Sequence, residues 1–168
     1  IRGYANGNYG PDDRVTRAQM AALIARATPA GPGTPTNGTL TPPACTSAGT
    51  WDCEDWGNNF TDRVGIVDSL WRNAGTLQHY GVAFGYGANQ CVAKGLVAPC
   101  FGPNDEVTDA QTISFSTRAM VAKGYWVAQP NAPQPYAGVP GAHANDFRTF
   151  HYYTGGIPAP PTNWDAPA

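Results

Sequence analysis

Gly3-Tyr4-Ala5-Asn6-Gly7-Asn8-Tyr9-Gly10-Pro11, running on into Val15-Thr16-Arg17-Ala18-Gln19-Met20-Ala21-Ala22, reads as a turn followed by a capped helix. Part of it occurs twice. Tyr9-Gly-Pro-x-Asp-x-Val-Thr-x-Ala-Gln19 is matched, at one fixed offset, by Phe101-Gly-Pro-x-Asp-x-Val-Thr-x-Ala-Gln111. The triplet Thr16-Arg17-Ala18 returns again as Thr117-Arg118-Ala119, followed by Met120-Val121-Ala122. Self-similarity of this kind marks a duplicated supersecondary unit. The repeated residues are turn, cap and helix-packing types, which points to binding or assembly rather than to chemistry.

The second copy is stretched between Thr108 and Thr117. Either its helix starts at Thr108 and runs long, or Asp109–Ser116 is an insertion. Thr16 is a good N-cap. Met20, Leu23, Ile24 and Ala27 then lie on one apolar face of the first helix, which Pro29 ends. Four sections follow. Residues 1–28 hold the first turn and helix. Residues 29–58, rich in Pro, Gly and Thr, form an extended linker with a knob around Cys45, Trp51, Cys53 and Trp56. Residues 59–127 are the second structured block. There a helical pattern carries Val64, Val67, Leu70 and Trp71, punctuated by Gly75 and Gly81. Residues 128–168 are an extended tail with eight prolines and many aromatics, too aromatic for disorder and in need of a surface to cover. The expected fold is mostly α, with short helices near 16–28, 62–73, 88–95 and 116–127. Long ordered coil joins them, and a small strand pair is allowed near Val82–Tyr86 and the tail.

The chain has 168 residues, of which 13% are charged, and a net charge of −2. It shows no basic patch, so nucleic acid is not expected as a partner. Weak charge repulsion favours self-association, making copies of the chain itself an expected partner. No apolar run is long enough to span a membrane. The sequence begins without an initiator Met or a signal peptide, as a mature product or a fragment would. The four cysteines form two close pairs, Cys45/Cys53 and Cys91/Cys100. Three connectivities are open. Pairing within each close pair is expected, because short Gly- and Pro-containing loops bend to disulfide geometry; the alternative is free buried thiols. Disulfides, with glycosylation triplets at Asn37 and Asn59, favour an extracellular setting. The scattered His79, His143 and His151 argue against a metal site. Asp12-Asp13 and Asn104-Asp105-Glu106 lack calcium-loop spacing. No cofactor is expected.

Gly3-Tyr4-x-Asn6-Gly7-x-Tyr9-x-Pro11-x-x-x-Val15-Thr16-Arg17-Ala18-x-Met20-Ala21 resembles the C-terminal half of an S-layer homology (SLH) module, whose pattern is roughly GYxDGxFxPxxxVTRAExAxxL. Phe60-x-Asp62, Lys94-Gly95-Leu96-Val97, Phe101-x-Pro103-x-x-x-Val107-Thr108 and Arg118-Ala119-Met120 resemble a whole module, giving about one and a half in all. The resemblance implies helical units, usually three packed as a pseudo-trimer, that hold bacterial surface proteins to wall-linked polysaccharide. Glycan contacts in the family come from the TRA arginine, a Trp on the first helix and loop N–H groups. Here these become Arg17, Arg118 and Trp71. An Arg at a helix start suits a carboxylated sugar. The plainer reading makes each arginine a solvated or intramolecularly paired residue at a helix start, and Trp71 a buried packing residue. This chain departs from the pattern at Gln19 and Met120, where the acid after TRA is usual, and at Asp109, which occupies the place of Arg17.

Three functions follow. The first is a self-assembling, non-catalytic subunit of an extracellular layer, tube or filament on an SLH-like scaffold. The second is a wall-polysaccharide anchoring module of a larger secreted protein. The third is a secreted enzyme whose catalytic part lies elsewhere. No nucleophile elbow, HExxH or phosphate loop occurs, so the chain itself is not expected to be an enzyme. The expected location is the bacterial cell surface or S-layer.

Overall fold

The computed structural model describes residues 13–27, 60–63, 66 and 68–167. The first turn, the linker with Cys45, Cys53 and Asn37, and Asn59 lie outside the described residues. The fold is mostly helical. Five α-helices, α1 (Arg17–Ala27), α2 (Asp68–His79), α3 (Ala88–Ala93), α4 (Asp109–Ala122) and α5 (Ala144–Thr154), are joined by long coil, with a 3₁₀ turn at Gly141–His143. Among the described residues, β structure is limited to isolated bridges pairing Thr16 with Glu106, Tyr86 with Cys100 and Thr108 with Pro167. No strand pair joins Val82–Tyr86 to the tail. The tail pairs instead at the start of α4.

The two copies of Thr-x-Ala-Gln are two capping boxes. Gln19 N–H donates to Thr16 Oγ1 at 3.3 Å, and Thr16 N–H donates to Gln19 Oε1 at 2.9 Å. Thr108 and Gln111 repeat the exchange at 3.3 and 3.4 Å. Each box satisfies two backbone donors at the helix entrance, and Gln19 serves where the family pattern has an acid. Of the two readings of the stretched copy, the first holds: the helix starts after Thr108 and runs long.

A helix start leaves further N–H groups without intrahelical partners. Arg17 N–H donates to Asp105 O at 2.8 Å and Ala18 N–H to Pro103 O at 3.1 Å, so the second turn holds the first helix. The arrangement recurs one step on. Asp109 N–H donates to Ala166 O at 3.3 Å and Ala110 N–H to Trp164 O at 3.1 Å. The tail therefore does for α4 what the 101–107 turn does for α1. A trace of this survives in the sequence: Gly95-Leu96-x-Ala98-Pro99 and Gly156-Ile157-x-Ala159-Pro160 lie equally far ahead of Pro103 and Trp164. The tail is a degenerate third turn.

Packing follows the same step. α1 lies on α2, and α4 on α5. The larger core gathers Ala18, Ala21, Ile24 and Ala25 with Trp71, Ala74, Leu77, Val82, Phe101 and Phe115. The smaller one joins Ala110 and Ile113 to Phe147 and Trp164. The buried face of α1 is thus the alanine face. Of the expected stripe, Ile24 is buried, Met20 and Leu23 are half-buried and Ala27 is exposed. Small side chains let α1 sit close on α2.

α2 begins later than its apolar pattern suggested, because residues 60–63 have another task. The Asp62 carboxylate accepts Phe101 N–H at 2.8 Å and Gly102 N–H at 2.6 Å. Thr61 N–H donates to Pro99 O at 3.0 Å, and the Phe60 and Phe101 rings lie 5.1 Å apart. Helix and turn compete for this backbone, and the turn holds it. Gly75, expected as a break, is buried inside α2, where the helix runs on to His79. At Gly102, φ is +65°, and a Cβ there would collide with the Tyr86 ring and the Asp105 carboxylate. The disulfide Cys91–Cys100, with a Cα–Cα distance of 5.9 Å, fastens α3 to the same turn.

The tail packs on its own chain and is not extended throughout. It carries α5, with Phe147 fully buried and Trp164 nearly so. Tyr136, Phe147 and Trp164 form a ring cluster with centroids 4.7 to 6.0 Å apart. The Trp164 Nε1–H donates to Ala137 O at 3.1 Å.

Candidate functional site

The capping box puts Arg17 at the first position of α1, aimed at the second turn. Its side chain is 3% exposed. Nε donates to Phe101 O at 2.7 Å. The guanidinium carbon lies 4.4, 4.8 and 5.3 Å from the ring centres of Tyr86, Phe101 and Phe115. Aromatic faces attract a cation through the ring quadrupole. Burial lowers the guanidinium's hold on its proton, and Tyr86, Asp105 and Asp62 oppose that. The neighbouring turn acids are also engaged: Asp105 pairs with Lys94 at 2.8 Å and Glu106 with Arg14 at 2.6 Å. Burial pushes the Tyr86 phenol up to about 12. Arg17 is thus a pin between α1 and the turn that holds it.

Trp71 is buried in the larger core, on α2 where α1 packs. The structure therefore separates it from Arg118, which lies in a different setting.

α4 carries Thr117, Arg118, Val121 and Ala122 on one face, as helical spacing dictates. The helix ends in a Schellman turn. Gly124 N–H donates to Val121 O and Tyr125 N–H to Met120 O, turning the chain back past Ala128 and Pro130. On α5, Asn145, Asp146 and Thr149 share a face. Together with Tyr80 and Gly81 beyond α2, these groups enclose a cleft of about 240 Å³. Arg118 Nη2 meets Asp146 Oδ2 at 2.7 Å, with the two side chains 18% and 15% exposed. Arg118 also reaches the carbonyls of Val82 and Ala142, each at 3.4 Å. The exposed Phe84 ring lies 4.9 Å from its guanidinium carbon.

The remaining walls are mixed. Val121, Ala122, Ala128 and Pro130 are apolar. Thr149 Oγ1 accepts Gln129 N–H and donates to Asn145 O. Thr117 is 1% exposed, and its hydroxyl has no hydrogen-bond partner among the described residues. Burial pushes the Tyr80 phenol up to about 12, so it stays protonated. Behind the cleft, Ser114 Oγ and His143 Nδ1 lie 2.7 Å apart. Ser114 is fully buried, so this contact ties α4 to the 3₁₀ turn. Burial and Arg118 hold His143 below its usual imidazole range, with Asp146 and Asp165 opposing.

Of the three residues expected to contact a glycan, Arg17, Arg118 and Trp71, Arg118 is the one that reaches the cleft. Asn145, Asp146 and Thr149 were overlooked because the tail read as coil. The available signal is the span between Pro140 and Pro158, which is free of proline and long enough for α5. A model of the S-layer homology domain matches residues 1–21, part of one module. No curated protein and no solved structure matches the chain.

Proposed function

We propose that this chain is a non-catalytic protein of the bacterial cell surface that attaches to wall-linked polysaccharide through the cleft at Arg118. The partial S-layer homology match suggests cell-surface or wall anchoring. One observation carries the finer reading: the arginine of the second Thr-Arg-Ala opens into a cleft, whereas Arg17 is walled in. A lining that mixes polar groups with apolar side chains suits a sugar ring, which has hydroxyl edges and a C–H face. A catalytic role for Ser114 and His143 is disfavoured because Ser114 is fully buried.

The test is co-sedimentation of the whole chain with purified wall polysaccharide. The expected outcome is saturable binding that falls at least about tenfold in Arg118→Gln. Absence of binding by the unmodified chain overturns the proposal.

A second reading, a self-assembling subunit of a layer or filament, draws on a different surface. Trp126 stacks on Tyr153 with centroids 5.0 Å apart, beside the exposed Tyr125, Val127 and Tyr152. Electron microscopy of the concentrated protein decides it: regular tubes or sheets support it, and monodisperse particles argue against it.

A further inference from the structure

We infer that the Arg118 cleft selects an uncharged, hydroxyl-bearing sugar ring over a carboxylated one. The inference rests on the anchoring reading of this same site and concerns the charge of its ligand. Among the described residues, the only ionic side chains lining the cleft are Arg118 and Asp146, and they are paired at 2.7 Å with little exposure. Their charges cancel within the cleft. A ligand carboxylate entering beside Arg118 must displace Asp146 or share the guanidinium with it. Either outcome leaves two carboxylates close together in a half-buried place, and two such groups do not both stay ionised cheaply. A hydroxyl meets no such obstacle. It donates to a carboxylate and accepts from a guanidinium, so neighbouring hydroxyls of one ring can bridge the intact pair.

Two further features fit the same ligand. The buried hydroxyl of Thr117 lacks a partner among the described residues, and a buried polar group left unmatched is costly. A ligand hydroxyl would match it. In the same cleft, Val121 and Pro130 supply apolar contact for the C–H face of a ring. The volume of about 240 Å³ lies below the roughly 300–1,000 Å³ of pockets that enclose whole drug-sized ligands. It suits one ring of a longer chain.

The experiment compares one carboxylated wall polysaccharide with the same polymer after chemical reduction of its carboxyl groups to alcohols. Binding of the whole chain to each is measured by calorimetry at low and at high salt. The reduced polymer is expected to bind at least about threefold more tightly than the carboxylated one, and nearly independently of salt, because no net ligand charge is being neutralised. Asp146→Asn should then gain at least about threefold for the carboxylated polymer alone, since Arg118 becomes available to it. Thr117→Val, which keeps the side-chain shape, should weaken both about fivefold, the loss of one hydrogen bond. Equal affinities, or a loss on carboxyl reduction of the polymer, overturn the charge inference and leave the anchoring reading standing. Absence of binding to either polymer overturns the anchoring reading, and this inference with it.

Discussion

The starts of α1 and α4 use the same backbone device for different ends. Both carry a Thr–Gln capping box, and both donate their next two N–H groups to the carbonyls of a later turn. The first position after the cap is Arg17 in α1 and Asp109 in α4. Arg17 is sealed under three rings, whereas the arginine of α4 sits well inside the helix and faces a cleft. The repeated backbone is scaffold. Which arginine is left open depends on whether aromatic side chains close over it. Over Arg17, Tyr86, Phe101 and Phe115 do so. Around Arg118, Phe84 is the ring at hand, and it is itself exposed.

The largest effect expected from breaking this parallel is at Asp62. Its carboxylate takes two backbone N–H groups of the turn that holds α1. The corresponding turn for α4 does not depend on it. Asp62→Ala should cost about 3–5 kcal/mol in urea unfolding, the sum of two charge-assisted bonds to buried donors. Hydrogen exchange should show α1 losing protection while α5 keeps its own. Equal loss in both helices would mean the two halves do not behave as separate steps.

Next come the caps themselves. Thr16→Ala and Thr108→Ala should each cost about 1 kcal/mol, read as shifts in the denaturation midpoint. If the two boxes are equivalent, the costs agree within about 0.5 kcal/mol. A cost confined to one helix would show that the tail turn, not the box, secures the other.

The smallest effect is at His143, whose Nδ1 lies 2.7 Å from Ser114 Oγ of α4. Its folded form holds the proton less readily than the free imidazole, so the neutral ring is favoured by folding. Above the unfolded value near 6.5 both states are neutral, and stability is unaffected. As the pH falls through 6.5, the unfolded chain binds the proton first, and stability declines until the folded ring is protonated too. His143→Gln should flatten that decline in a series of melts from pH 7.5 to 5. An unchanged slope would assign it to other groups.

Much of the first half of this pattern was legible. Thr16, Gln19, Thr108 and Gln111 announce two helix starts because capping is local, decided by residues three apart. The disulfide between Cys91 and Cys100 was legible for the same reason. The burial of Arg17 was not, because its cage comes from Tyr86, Phe101 and Phe115, all distant in sequence. The start of α2 was misplaced because Asp62 is committed to a turn some forty positions away. The third turn was hidden because its side chains have diverged and only backbone carbonyls do the work at Trp164 and Ala166. With it went α5, and with α5 the residues that complete the cleft.

Arg17, buried and bonded to Phe101 O, and Arg118, at the cleft, should fail differently when replaced. Arg17→Leu and Arg118→Gln should be compared for melting temperature and for polysaccharide affinity on the same preparations. Arg17→Leu should lose about 2–3 kcal/mol of stability, through the buried charge-assisted bond to Phe101, and keep its affinity below its melting point. Arg118→Gln, whose amide can still donate to Asp146, should lose less stability than Arg17→Leu and bind at least about tenfold more weakly. An Arg17→Leu protein that melts normally but no longer binds, beside an Arg118→Gln protein that binds as before, would contradict this expectation.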